Sequence, residues 1–138
     1  MPNTDNEPSL SVPISILLVD DHSHVRKLLR ELIETYDDLK VVGEATNGEE
    51  AVLLSVALKP AAVVMDVHLP VLSGIAATTL IKTTNPFAAV IGLTAGDPGE
   101  DAKLMTLAGA TAVINKAEAT HALHSAIVEA VKQVKAQV

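Results

Sequence analysis

The feature that most constrains this chain is a strict alternation of two kinds of apolar segment. Residues 14–19, Ile-Ser-Ile-Leu-Leu-Val, are a short run rich in β-branched side chains, long enough for one strand. The run stops at Asp20-Asp21. Val25, Leu28, Leu29, Leu32, Ile33 and Tyr36 then recur at helical spacing, as one stripe of an amphipathic helix with Ser23 as its expected N-cap. The pattern repeats with a strand over 41–45, a turn at Thr46-Asn47-Gly48, and a helix over 49–58 that Pro60 ends. Acidic residues open that helix, where the macrodipole favours them. A third strand over 61–65 runs into Asp66. The helix that follows, from 73 to about 84, is weakened by Gly74 and several threonines. A fourth strand over 89–93 ends at Thr94. Asp97-Pro98 predicts an N-cap followed by proline at the first helical position, in a helix reaching Gly109. A short strand over 111–114 follows. Leu123, Ile127, Ala130, Val131 and Val134 then mark a last helix, starting near Glu118.

Five β-then-α units in succession imply a parallel sheet with helices on both faces. Several strands are continuous apolar runs and do not alternate, as expected when both faces are covered. The fold class is therefore α/β, a single doubly wound (βα)5 domain. Periodicity does not give the strand order. Residues 1–12 are polar and acidic, with Pro2 and Pro8, and read as a loose tail before a domain over 13–138.

Composition narrows the function. The chain has 138 residues and no Cys, which removes disulfides, thiolate catalysis and Cys-based zinc sites. Tyr36 and Phe87 are the only aromatics, so the core is built from Val, Ile, Leu and Ala. The net charge is 10 − 17 = −7, with no basic cluster, which argues against direct nucleic-acid binding. No segment approaches the roughly 18 consecutive apolar residues of a membrane span. The N-terminus lacks the basic start and apolar middle of a signal peptide, so a cytoplasmic location is expected.

In open α/β sheets, ligands bind beyond the carboxyl ends of the strands. Those ends carry Asp20 and Asp21, Asp66, Thr94, and Lys116 just past the fifth strand. The second strand ends in Ala45-Thr46 and adds nothing obvious. Converging carboxylates repel one another unless a cation neutralises them. Oxygen ligands suit a hard ion such as Mg²⁺. A lysine holds an anion as a point charge, and a threonine hydroxyl donates to it. Together they describe a phosphoryl-transfer site, with the phosphoryl group either a ligand or covalently held as an aspartyl phosphate. The five histidines make no convincing metal set. His121 and His124 share a helix face and read as surface polarity, whereas His68 lies two residues past Asp66 and borders the site.

The residues Ile16-Leu17-Leu18-Val19-Asp20-Asp21-His22, Val64-Met65-Asp66-Val67-His68-Leu69-Pro70, Leu93-Thr94-Ala95 and Asn115-Lys116-Ala117 closely resemble the receiver domain of two-component response regulators. The resemblance spans about 14–134 and rests on four motifs in order, each at a strand end. It implies a flavodoxin-like sheet of order 2-1-3-4-5. It implies that Asp66 is the phosphoacceptor for a sensor histidine kinase or phosphotransfer protein. Asp21, Asp66 and the backbone carbonyl of His68 bind Mg²⁺, with Asp20 acting through water or orienting a ligand. Lys116 pairs with the phosphoryl group, and Thr94 turns inward as the switch. The output face is helix 4, strand 5 and helix 5, which contacts an output domain or docking partner or forms a phosphorylation-dependent dimer. Such a domain is not an enzyme beyond its own phosphorylation and dephosphorylation.

The sequence departs from the family pattern in three places. Val113 stands where the family often has the aromatic partner of the switch. Ala117 follows the lysine where many receivers have proline, and the Asn115-Lys116-Ala117 stretch and the Asp20-Asp21-His22 start look more like the subfamily fused to helix-turn-helix outputs. The chain also ends after its fifth helix, which fits a stand-alone receiver or one belonging to a longer regulator. Two other classes compete. A haloacid-dehalogenase-like phosphatase would place an acid two residues after its nucleophile, where this chain has His68. A flavodoxin-like electron carrier would have a Ser/Thr/Gly phosphate loop after the first strand and aromatics beside the flavin.

Overall fold

Five strands and five helices alternate along residues 12–137, which a computed structural model of the chain describes. They are β1 (Ile14–Val19), α1 (Ser23–Ile33), β2 (Leu39–Ala45), α2 (Gly48–Leu58), β3 (Ala62–Asp66), α3 (Gly74–Thr84), β4 (Ala89–Thr94), α4 (Gly99–Ala108), β5 (Ala112–Asn115) and α5 (Ala119–Ala136), with one 3₁₀ turn at Lys116–Glu118. Of the expected tail over 1–12, all but Val12 lies outside the described residues, as does Val138. All four strand pairings are parallel, in the order β2-β1-β3-β4-β5. This is the 2-1-3-4-5 order that the resemblance implies.

The sheet divides two cores. On one side Ile16, Leu18, Val64 and Ile91 pack with Leu29 and Ile33 of α1 and with Leu123 and Ile127 of α5. On the other, Leu17, Val63, Met65 and Val90 pack with Ala51 of α2, Ala77 and Ile81 of α3, and Met105 of α4. β3 and β4 are buried at every residue. The edge strand β2 alternates at its start instead, and its register with β1 slips between Ile16 and Leu17, leaving Val42 unpaired.

Local signals placed the elements but not every boundary. Asn47 and Ser73 cap α2 and α3, accepting the amides of Glu50 and Ala76 at 2.8 and 3.1 Å. Ser23 does not cap α1, because His22 takes that position and Ser23 is already helical. The Asp20 carboxylate accepts the His22 amide at 2.9 Å and fixes the entry one residue early. Pro98, not Asp97, takes the N-cap position of α4, and its carbonyl accepts the Ala102 amide at 3.0 Å, so the first turn closes over Gly99 at φ +41°. α1 stops at Ile33, so Tyr36 leaves the helical stripe and its ring stacks on His124, with centroids 4.0 Å apart. His124 Nε2 also lies 3.0 Å from Asp38, so this residue, expected only to face solvent, ties α5 to the turn before β2. Gly74 is not a weak point of α3. A Cβ there would lie 2.1 Å from the Asp66 carbonyl oxygen, so its bareness lets α3 start against the end of β3.

Candidate functional site

β1 and β3 are neighbours at the centre of the sheet, so their C-terminal ends deliver Asp20 and Asp66 to one place. Asp20 is fully buried and Asp66 is 4% exposed, while Asp21 stands in solvent. Carboxylate oxygens of Asp20, Asp21 and Asp66 and a ring nitrogen of His22 lie within 4.8 Å of one another. Lys116, carried just past β5, reaches back between the two buried acids. Its Nζ donates to Asp66 Oδ2 at 3.0 Å and sits 2.9 Å from Asp20 Oδ2.

The lysine does not balance the site. Its approach to the buried Asp20 Oδ2 is poorly aligned for a hydrogen bond, and no other donor among the described residues reaches that oxygen. Three carboxylates share one ammonium. Burial pushes the Asp66 carboxyl above the usual range, against the opposing pull of Lys116 and of the His68 amide, which donates to Oδ1 at 3.0 Å. Burial alone would lower the Lys116 ammonium, but its close pairing with the Asp20 and Asp66 carboxylates outweighs that and holds it above its ordinary value. A cluster of hard oxygen donors with excess negative charge and a poorly satisfied buried oxygen fits a divalent cation such as Mg²⁺.

Thr94 is brought to the rim but not to the acids. It ends β4 beside Asp66 and is 1% exposed, yet its hydroxyl donates to the Gly96 carbonyl at 3.0 Å. Asn115 donates to the same carbonyl at 2.7 Å and accepts the Ala117 amide with its side-chain oxygen, so Thr94 closes the 94–96 turn on itself while Asn115 ties it to β5. His68 is exposed, and its Nε2 lies 2.8 Å from Asp101 of α4, bridging the β3–α3 loop to α4 at the mouth of the site. Val113 is half-buried, packed against the α2–α4 core.

Two contributors escaped the sequence reading. His22 Nδ1 lies 3.2 Å from both Asp20 and Asp21, so its ring joins the acidic group that the sequence assigned to carboxylates alone. The signal was its place directly after the acid pair. β2 also supports the site. Glu44 accepts from Arg26 Nε at 2.7 Å and pairs with Arg30, and Arg26 donates to the Asp20 carbonyl at 2.8 Å. Burial would raise the Glu44 carboxyl, but the two guanidinium partners hold it below the usual range. Arg26 and Arg30 stand at i, i+4 on α1 and were visible as a pair, whereas their acidic partner depends on strand order.

Residues 16–128 match the family described as the response regulator receiver domain. A protein-glutamate methylesterase/protein-glutamine glutaminase of Methanococcoides burtonii is 41% identical over 78 residues, which are 56% of this chain and 22% of that protein. The response regulator GacA of Pseudomonas protegens is 33% identical over 114 residues, 83% of this chain and 54% of GacA. This chain thus spans only part of the length of these curated relatives. Among solved structures, the response regulator domain of Thermotoga maritima CheB superposes with a TM-score of 0.81 at 30% identity, covering 87% of this chain and 97% of that domain. These matches leave neither the phosphatase nor the electron-carrier reading favoured. With the sheet order, the strand-end acids and the lysine between them, they establish that the chain belongs to the response regulator receiver domain family.

Proposed function

We propose that this chain accepts a phosphoryl group on Asp66 from the phosphohistidine of a sensor kinase or phosphotransfer protein. A carboxylate oxygen of Asp66 bonds to phosphorus as the P–N bond breaks, and the bonding pair leaves with the imidazole nitrogen. The observation that carries this reading is Lys116 Nζ lodged between two buried acids, one of which keeps an oxygen without a well-aligned donor. Asp21, Asp66 and the His68 carbonyl would hold Mg²⁺, with Asp20 acting through water, and the ion would offset the charge of the acids and the phosphoryl oxygens. The ring of His22 adds little to an all-oxygen set for so hard an ion.

In the free chain Lys116 occupies an oxygen of the phosphoacceptor. Transfer lets its ammonium shift to a phosphoryl oxygen, which keeps the charge paired. The Thr94 hydroxyl leaves the Gly96 carbonyl and donates to the phosphoryl group, and the turn then hangs on Asn115 alone. Val113 has no ring to swing, so the readout is a shift of residues 95–101 and α4. The α4–β5–α5 face carries Leu107, which is 84% exposed, and would pass the change to an output domain or docking partner. Beyond its own phosphorylation and dephosphorylation we assign no enzymatic step to this domain. No helix among the described residues is long and apolar enough to cross a membrane, and we place the domain in the cytoplasm with its kinase.

Amide chemical shifts with Mg²⁺, before and after beryllium fluoride, test the switch. The expected result is change at Asp66, Thr94 and Lys116 that extends through 95–108. Changes confined to the acidic residues, with 95–108 silent, would show that the domain binds phosphoryl groups without using them.

A further inference from the structure

α2 departs from the pattern of α1. Arg26, Lys27, Arg30 and Glu31 line α1, whereas α2 has no charged residue between Glu50 and Lys59 although its outer side faces solvent. α3 is uncharged from its start to Lys82, whose ammonium bends onto the carbonyls of Pro86 and Ala88 at 2.7 and 2.8 Å. Leu53 and Val56 of α2 and Leu80 of α3, with Val71 and Phe87 from the loops flanking α3, therefore leave apolar side chains in water. Leu53 is 66% exposed, Phe87 59% and Val71 77%. Val71 is β-branched and sits at φ +68°, a strained conformation that holds its side chain out. Two shallow depressions flank this surface, one beside Glu49, Leu53 and Val71, the other beside Val56, Lys59 and Phe87.

Charge marks only the ends. Glu49 and Lys59 are both exposed, and neither side chain has a hydrogen-bond or ion-pair partner among the described residues. Glu49, Leu53 and Val56 follow one another at spacings of four and three and share one stripe of α2, and Lys59, the left-handed C-cap, stands exposed at the far end of the helix. A stripe that is negative at one end, apolar in the middle and positive at the other is complementary to itself when reversed. A two-fold axis through the middle of α2 sets each Glu49 against the other copy's Lys59 and closes apolar surface on apolar surface. Such an isologous contact stops at two copies.

We propose that the α2–α3 face is a homodimer interface of this chain, formed by antiparallel packing of α2 on α2 between two Glu49–Lys59 ion pairs. It is independent of the phosphoryl site and of the α4–β5–α5 face. Sedimentation velocity of the unphosphorylated full chain, from micromolar to millimolar concentration, tests it. The wild type is expected to show a reversible monomer–dimer equilibrium. Glu49→Lys and Lys59→Glu should each weaken it roughly tenfold, and the double swap should restore it. Leu53→Glu should weaken it by roughly a hundredfold without changing the circular dichroism spectrum, since that side chain is exposed, and Leu107→Glu should leave it unchanged. A wild type monomeric throughout would overturn the proposal and give the face to a different protein. A double swap no tighter than the single swaps, or dissociation by Leu107→Glu and not by Leu53→Glu, would overturn it equally.

Discussion

Lys116 is the residue on which the acidic site depends in the free chain. Its raised proton affinity means that its stabilising contribution is fully present at neutral pH and is lost only as the pH rises through its elevated pKa. Replacing it with Met leaves two buried carboxylates unpaired. We expect Lys116→Met to lose about 2 kcal/mol of stability at neutral pH without divalent cation, since the lysine is partly exposed, and to recover part of it with Mg²⁺. Chemical denaturation with and without Mg²⁺ measures both. Asp66 shows the opposite sign of effect at neutral pH. Its folded pKa is raised, so folding is unhindered below the ordinary carboxylate range and is increasingly opposed as pH rises through the elevated value. In metal-free buffer Asp66→Asn should therefore melt a few degrees above wild type at neutral pH, with the gap closing as the solution is acidified. A variant less stable than wild type at every pH would show that the Lys116 contact outweighs burial. The acids, Thr94 and Lys116 were legible because short buried strands end abruptly in polar residues. The pairing of Glu44 with Arg26 and the bond from Thr94 to Gly96 were not, since each is made by the tertiary fold.

At the scale of elements, apolar periodicity located all five strands and all five helices, but the caps of α1 and α4 each moved by a residue. The Asp20 carboxylate holds the His22 amide where α1 starts, and Pro98 takes the N-cap of α4 in place of Asp97. Gly74 illustrates the limit of propensity. Read locally it weakens a helix, yet in the structure it lets α3 begin in contact with the backbone of Asp66 and donate its amide to the Val67 carbonyl at 2.9 Å. Gly74→Ala should cost about 3 kcal/mol, because the added methyl group meets backbone and the start of α3 must move. The same displacement would shift Asp66 and slow its phosphorylation. An alanine variant with wild-type stability and rate would show that the junction between β3 and α3 yields easily.

For the whole molecule, the sheet order turns separate motifs into one site. Periodicity could not say that β1 and β3 are neighbours, and the order came from resemblance to a family. Once β2-β1-β3-β4-β5 is formed, Asp20, Asp66, Thr94 and Lys116 meet at one edge with no further instruction. The apolar outer side of α2 and α3 was equally hidden, because a helix without charge reads as buried until its exposure is known. The central claim is that this edge makes Asp66 a phosphoacceptor. Intact-protein mass spectrometry of wild type and Asp66→Asn, after incubation with Mg²⁺ and a small-molecule phosphodonor, tests it most directly. The account predicts one added phosphoryl group on the wild type, dependent on Mg²⁺, and none on the variant. Equal phosphorylation of the two proteins, or none on either, would contradict it.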